Sequence, residues 1–257
     1  IGSLLVGVQF AKALALGRNL PIVGLNHLES HVMAAILIPD APPPSFPFIG
    51  LVVSGGHSSL FKITDVGAVT LLGRTLDDAA GEAFDKAASV LGLPYPGGVA
   101  IDRIAKGRNP QAIRFPRAMI HDETLNMSFS GLKTALRTYL GHTKATPETV
   151  GDIAASFQEA VVDVLVTRTI QASRANAIRS VVVGGGVAAN SRLRAKMIEA
   201  AARERIQLHL TPLSLCTDNA AMVAGLGYHY LFGRLADRDM PRGITMDPFQ
   251  RNVADGW

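Results

Sequence analysis

The segment Asn26-His27-Leu28-Glu29-Ser30-His31 sets two imidazoles four residues apart. On a helix, positions i and i+4 share a face, with Cβ atoms about 5–6 Å apart. Two imidazoles so placed can hold one divalent cation. Two ordinary helical histidines would show the same spacing, so the pair leaves both readings open. A metalloprotease reading also arises, but in HExxH the carboxylate follows the first histidine directly. Here Glu29 comes two residues after His27, about 200° around the helix, and is expected to point away from the metal face. A third ligand could come from Leu215-Cys216-Thr217-Asp218-Asn219-Ala220-Ala221-Met222, where Asp218 is the candidate. Spacing alone favours a plainer role for Asp218: a first-turn carboxylate favoured by the helix dipole, with Thr217 as the cap. Cys216 has apolar flanks and reads as a core residue. As the single cysteine of the chain, it excludes a disulfide framework and a cysteine-only zinc site.

Two glycine loops follow apolar runs. In Val52-Val53-Ser54-Gly55-Gly56-His57-Ser58, successive backbone N–H groups could form an anion nest, with His57 as a further donor. A tight hairpin turn would use Gly-Gly equally well. Val183-Gly184-Gly185-Gly186-Val187-Ala188-Ala189-Asn190-Ser191 opens a helix, where a nucleotide can approach backbone closely. Neither loop is GxGxxG or a P-loop, which disfavours a dinucleotide site and a Walker-type NTPase. Together they favour a nucleotide site over structural turns. Between them, Asp78, Glu82 and Asp85 lie on one side of an expected helix. That is ordinarily a solvated acidic face, although Asp85 could accept hydrogen bonds from ribose hydroxyls. Tyr95-Pro96-Gly97-Gly98 exposes backbone, and Asp102 lies just beyond it.

The elements that must position these residues can be read from periodicity. Helices are expected over residues 3–16, 27–37, 76–91, 149–176, 190–204 and 217–232. Strands are expected near Ile22-Val23 and over 48–53, 59–64, 181–183 and 207–210. The first helix is expected to be amphipathic, with Leu4, Leu5, Val8, Ala11, Leu14 and Ala15 on one face. A proline-dense linker covers 39–47, and the tail from Asp237 shows little periodicity. Hairpin first, then strand–glycine–helix units, indicates an α/β chain with a mixed sheet and a two-lobed nucleotide-binding architecture. The 257 residues are 48% hydrophobic and 18% charged, which excludes disorder. The formal charge of +4 and the pI near 9.4 are compatible with an RNA partner. Arg114, Arg117, Lys133, Arg137, Arg192 and Arg194 are candidates for phosphate contacts, with solvated helix faces the plainer reading for any one. The longest clean apolar run, 32–38, is too short to cross a bilayer. The opening residues lack the basic leader of a signal peptide. The protein is read as soluble and cytoplasmic.

Seven segments in order resemble the TsaD family, which makes threonylcarbamoyladenosine in tRNA. They are His27-Leu28-Glu29-Ser30-His31, Ser54-Gly55-Gly56-His57, Gly81-Glu82-Ala83-Phe84-Asp85-Lys86, Tyr95-Pro96-Gly97-Gly98, Ser128-Phe129-Ser130-Gly131-Leu132-Lys133-Thr134-Ala135, Gly184-Gly185-Gly186-Val187-Ala188-Ala189-Asn190 and Thr217-Asp218-Asn219-Ala220-Ala221-Met222. The resemblance implies the two-lobed fold shared by actin, sugar kinases and heat-shock ATPases, with mixed sheets. It implies that His27, His31 and Asp218 bind one divalent metal, Fe2+ in preference to Zn2+. It implies that Ser54, Gly55, Gly56, His57, Asp85, Gly98, Asp102 and Asn190 hold threonylcarbamoyl-adenylate. The reaction implied is transfer of the threonylcarbamoyl group to N6 of the adenosine just 3′ of the anticodon (adenosine 37), in tRNAs that read codons beginning with A. Implied partners are tRNA and the helper subunits TsaB and TsaE, with no membrane. The resemblance departs at Ser30 and Val99, where the family usually has Gly and Pro. The family's opening strand hairpin, with its phosphate loop, is expected ahead of Gly2. The chain is therefore read as N-terminally truncated, with residues 1–47 the remainder of an incomplete first lobe carrying the histidines. Residues 48–257 are read as the second lobe, carrying the glycine loops and Asp218. The alternatives are a noncatalytic scaffold of the same fold, a metalloprotease, and a kinase or chaperone ATPase of this fold.

Overall fold

The apolar run at 48–53 forms the strand on which the other elements assemble. In the computed structural model, which describes residues 2–37, 42–233 and 235, this strand (β1, Phe48–Val53) is buried along its whole length. β2 (Ser58–Asp65) returns antiparallel to it, and β3 (Ala68–Arg74) pairs antiparallel with β2. β4 (Ser180–Gly184) lies parallel to β1 on its other side, and β5 (Gln207–Leu210) lies parallel to β4. The sheet order is β3-β2-β1-β4-β5. Side chains alternate across a strand, so Ile49, Leu51, Val53, Val181 and Val183 enter the larger core. Phe48, Val52 and Val182 enter a smaller one on the opposite face.

The larger core is covered by α3 (Ala80–Val90), α4 (Gly97–Ala105), α5 (Ser130–His142), α6 (Val150–Ala175) and α7 (Ser191–Glu204). α6 is buried on nearly every side, its polar residues included. Phe157 on α6 meets Phe84 of α3 and Phe115, with ring centroids 6.2 and 5.9 Å apart, and Phe115 meets Tyr139 of α5 at 6.3 Å. These edge-to-face contacts join three helices and a long loop. On the opposite face α2 (His27–Met33) packs between the sheet and α9 (Ala220–Leu231), through Val32 on one side and Met33 against Leu226 and Tyr230 on the other. A four-residue helix, α8 (Leu213–Cys216), precedes α9.

Several expectations need correction. The strand near Ile22-Val23 is reduced to a single bridge residue, Val23. The helix begun at His27 ends at Met33 and continues as a 3-10 turn over Ala34–Leu37. The helix expected from Leu76 starts at Ala80. Residues 75 and 76 instead bond across to Ser58 and Met127, and Asp77 is committed elsewhere. α1 (Gly2–Arg18) forms as expected but buries only Ala15. Leu4, Leu5 and Leu14 of its expected inner face are exposed, as are Val6, Phe10 and Leu16 around the rest. Part of the proline linker (38–41) and the tail from Asp237 lie outside the described residues.

Asp77 caps α5 from a distance. Its Oδ1 accepts from the N–H groups of Phe129 and Ser130 (2.8 and 3.2 Å), and its Oδ2 accepts from the Ser128 and Ser130 hydroxyls (2.5 and 2.8 Å). Burial opposes the charge, but these four bonds outweigh it and hold the carboxyl below its usual range. Replacing Asp77 by alanine is expected to cost about 1–2 kcal/mol at pH 7, the range for a lost helix cap. The folded-state value is the lower one, so this stability is complete above the unfolded-state value and fades as pH falls through the folded one. The gap in urea midpoint between wild type and Asp77→Ala should therefore narrow below about pH 4. An unchanged gap would remove the carboxylate from the cap.

Candidate metal centre and nucleotide cleft

Asn26 starts α2 by accepting from the N–H groups of Leu28 and Glu29 (2.8 and 3.3 Å). The helix then presents His27 and His31 edge to face, with ring centroids 4.7 Å apart. Glu29 points the other way. Its carboxylate accepts from Gly67 N–H (2.9 Å) and from the Tyr230 hydroxyl (3.5 Å), anchoring α2 to the β2–β3 turn and to α9. It is thus held away from the histidines, which removes the base a metalloprotease would need. His31 is buried and His27 exposed. The backbone of α2 rests on β4, since a Cβ at Gly184 would lie 2.9 Å from the His31 carbonyl oxygen.

Asp218 is not in the first turn of α9. The cap is Asn219, whose side chain accepts from Met222 N–H at 2.9 Å. Asp218 stands one residue before the cap, so Thr217 is not the cap either. Freed from the helix, Asp218 Oδ1 lies 3.2 Å from His27 Nε2 and 3.1 Å from His31 Nε2. Among the described residues, His27, His31 and Asp218 form a group whose ligand atoms all lie within 4.8 Å of one another. Ligands about 2.1 Å from one ion sit roughly 3.0–3.4 Å apart, from octahedral to tetrahedral geometry. Both separations from Asp218 fall in that range, and with all three atoms within 4.8 Å of one another the group could hold one divalent ion. Burial, then the neighbouring His27, push the His31 imidazole below its usual value, against the pull of Asp218. His57 is lowered in the same way, first by partial burial and then by His27. A neutral imidazole keeps the lone pair a metal needs.

The first glycine loop is the turn from β1 to β2. Ser54 N–H donates to the His57 carbonyl (2.8 Å), and His57 N–H donates to Ser54 Oγ (3.2 Å). Gly55 and Gly56 stay exposed. Gly81 N–H, at the start of α3, donates to the Ser54 carbonyl at 3.2 Å and ties that helix to the turn. The second loop leaves β4 beside the first. Gly185 has φ +90°, and a Cβ there would lie 2.4 Å from the Val53 carbonyl oxygen. Both loops therefore emerge at the carboxyl ends of adjacent parallel strands, the usual crevice for a ligand in α/β sheets.

The remaining candidates gather around α4 and α7. Asp85 Oδ1 accepts from Gly97 N–H (2.7 Å), beside Gly98 in the first turn of α4. Asp102 accepts from Ser191 N–H and Oγ (3.2 and 2.7 Å), next to Asn190. Asn190 caps α7 by accepting from Leu193 N–H (3.0 Å) and donates to Gln158 Oε1 (2.8 Å). Asp85, Asp102 and Asn190 thus each hold a helix start. Cys216 is fully buried, its thiol donating to the Thr211 carbonyl at 3.4 Å, and burial raises its pKa. That is a core residue and a poor nucleophile. Spacing missed Asn219 as the residue that frees Asp218; the Asp-Asn pair before an apolar run was the available signal.

A sequence profile described as "TsaD: tRNA N6-adenosine threonylcarbamoyltransferase" matches residues 1–225. The chain belongs to the TsaD family. A protein of Geobacter sp. (strain M21) named tRNA N6-adenosine threonylcarbamoyltransferase is 54% identical over 231 residues, 90% of this chain and 67% of that protein. One of the same name from Anaeromyxobacter dehalogenans (strain 2CP-1) is 54% identical over 246 residues, covering 93% and 72%. In fold, the chain is similar to full-length HypF in a phosphate- and nucleotide-bound form, with a TM-score of 0.65 at 12% identity over 84% of this chain and 37% of that one. It is similar also to HypF of T. kodakarensis, with a TM-score of 0.63 at 14% identity over 86% and 39%. The expected α/β fold with a mixed sheet, of the actin, sugar-kinase and heat-shock-ATPase type, stands. No described helix is long and apolar enough to cross a membrane.

Proposed function

We propose that this chain transfers a threonylcarbamoyl group from threonylcarbamoyl-adenylate to N6 of the adenosine just 3′ of the anticodon, as a metal-dependent acyltransferase. The observation that carries the reading is the convergence of His27, His31 and Asp218 within a segment matching the TsaD family. The donor set of two imidazoles and a carboxylate suits Fe2+ and also Zn2+, and we take Fe2+ first. When bound, the ion supplies Lewis acidity and a template for the substrate.

The reaction forms a bond between N6 and the carbamoyl carbon and breaks the bond from that carbon to the phosphate oxygen. AMP leaves with the oxygen, and N6 loses a proton. AMP is a good leaving group, so no covalent enzyme intermediate is required. The burial of Cys216 agrees with that. The N–H groups of the exposed Gly55 and Gly56 orient the phosphate and carbamoyl oxygens. The starts of α4 and α7, held by Asp85, Asp102 and Asn190, shape the opposite wall around Gly98. The protein works in the cytoplasm with helper subunits of the TsaB and TsaE type.

The test supplies protein carrying this chain with unmodified tRNA and threonylcarbamoyl-adenylate and measures the modified nucleoside by mass spectrometry. Threonylcarbamoyladenosine should accumulate with release of AMP. Absence of transfer by well-folded, metal-loaded protein with its helper subunits would overturn the reading.

A further inference from the structure

Between α4 and α5 the chain runs for residues 106–129 without helix or named strand. Loops of that length in a packed domain are commonly functional. This one is fastened along α6. Asn109 N–H donates to Asp152, and Ile113 N–H donates to Ser156 Oγ, at 2.9 and 3.1 Å. Arg117 pairs with Asp163 at 2.8 Å and also donates to the Phe115 carbonyl. The buried Arg168 donates to the carbonyls of Met119 and Asp122. Four residues of one helix thus hold the loop open around a cleft of about 760 Å³, within the usual range for a ligand site of roughly 300–1,000 Å³. It shares no lining residue with the histidines, Asp218 or the glycine loops.

Basic residues gather in the part of this stretch that lines the cleft, between Asp102 on one side and Asp122 and Glu123 on the other. From Arg103 to His121 the sequence holds Arg103, Lys106, Arg108, Arg114 and Arg117 and no Asp or Glu, in a chain whose total is only +4. Asp163 enters the cleft from α6, but it is neutralised by Arg117 and by Lys196. Arg117 is therefore fixed, whereas Arg114 and His121 are exposed and have no hydrogen-bond or ion-pair partner among the described residues. Ile113, Pro116 and Ile120 supply an apolar wall beside them.

We infer that this cleft seats an unstacked nucleotide of the substrate tRNA, distinct from the reacting adenosine. The base lies against Ile113, Pro116 and Ile120, and its phosphate meets Arg114. Unpaired RNA offers a bare base face to apolar side chains, whereas a duplex keeps its bases stacked and offers phosphates and 2′-hydroxyls. The mixed lining therefore selects a single-stranded segment. The inference rests on the tRNA reading above.

The test measures tRNA binding against salt, together with transfer kinetics, for wild type, Arg114→Glu and Arg114→Lys. Thermal melts serve as the folding control. Arg114→Glu should weaken tRNA binding roughly 10-fold and flatten the salt slope by about 0.7–1. KM for tRNA should rise while kcat at saturating tRNA stays within about 2-fold. Arg114→Lys should restore most of the affinity. Unchanged affinity and slope in Arg114→Glu would overturn the inference, including the case where the variant instead loses a protein partner. If wild type binds tRNA without transferring the group, the functional reading fails while the cleft is still judged by Arg114→Glu. If wild type transfers normally and Arg114→Glu has the same KM, the cleft alone fails.

Discussion

Replacing Asp218 by alanine is expected to abolish metal retention and threonylcarbamoyl transfer together, while leaving the melting temperature almost unchanged. The side chain is 78% exposed and lies outside the α9 cap, which belongs to Asn219. Its removal should therefore alter stability by no more than about 0.5 kcal/mol. Its Oδ1 is nevertheless the atom that both Nε2 nitrogens face. Loss of an outer-shell partner costs about 10–100-fold in metal affinity, and loss of a direct ligand should exceed the upper figure. His31→Ala is the weaker experiment, because His31 is buried and its removal would disturb the packing of α2. Metal content by mass spectrometry beside transfer activity decides the matter. A full equivalent of tightly held metal in Asp218→Ala, or undiminished transfer without metal, would dismiss the triad.

The second large effect is structural. Gly185→Ala should destabilise the fold by about 3–5 kcal/mol, from a left-handed backbone angle and a backbone clash acting at one atom. The added Cβ would lie 2.4 Å from the Val53 carbonyl oxygen and 2.8 Å from its carbon. Neither atom can move without shifting β1, which is buried throughout. Gly186→Ala provides the contrast, since a Cβ there meets nothing within 4 Å; it should change stability by no more than about 0.5 kcal/mol. Urea denaturation of the pair measures the difference. Equal stabilities would mean that Gly185 does not pack against the end of β1 as described.

The histidine pair was legible because its spacing is local and the helix is short. Asp218 was legible only as a candidate that spacing ranked below a plainer role, because it lies 187 residues from His31 and its neighbours resembled a helix first turn. The local bond from Met222 N–H to Asn219 shows which of the two neighbours takes the cap. β1 and β4 were readable from their apolar runs, whereas β3 is a half-exposed edge strand with little alternation. α4 was hidden behind Pro94, Pro96 and two glycines, although Pro96 occupies the cap position and leaves the helix interior clear. α5 carried a usable signal in Leu132, Leu136 and Tyr139 that motif reading passed over. The basic residues were least legible. Arg117 and Arg192 are held by Asp163 and Glu159, and Arg194 by the carbonyls of Ala188 and Thr211. A charge count cannot distinguish such committed cations from Arg114.

α6 touches both halves of this arrangement. Asp152, Ser156, Asp163 and Arg168 hold the long loop, while Gln158 and Glu159 hold Asn190 and Arg192 at the start of α7. A helix of 26 residues is a rod about 39 Å long, and its anchor points keep fixed separations. On the proposed reading, an RNA seated in the cleft and reaching the start of α7 would therefore meet two surfaces braced by the same turns of one rigid helix.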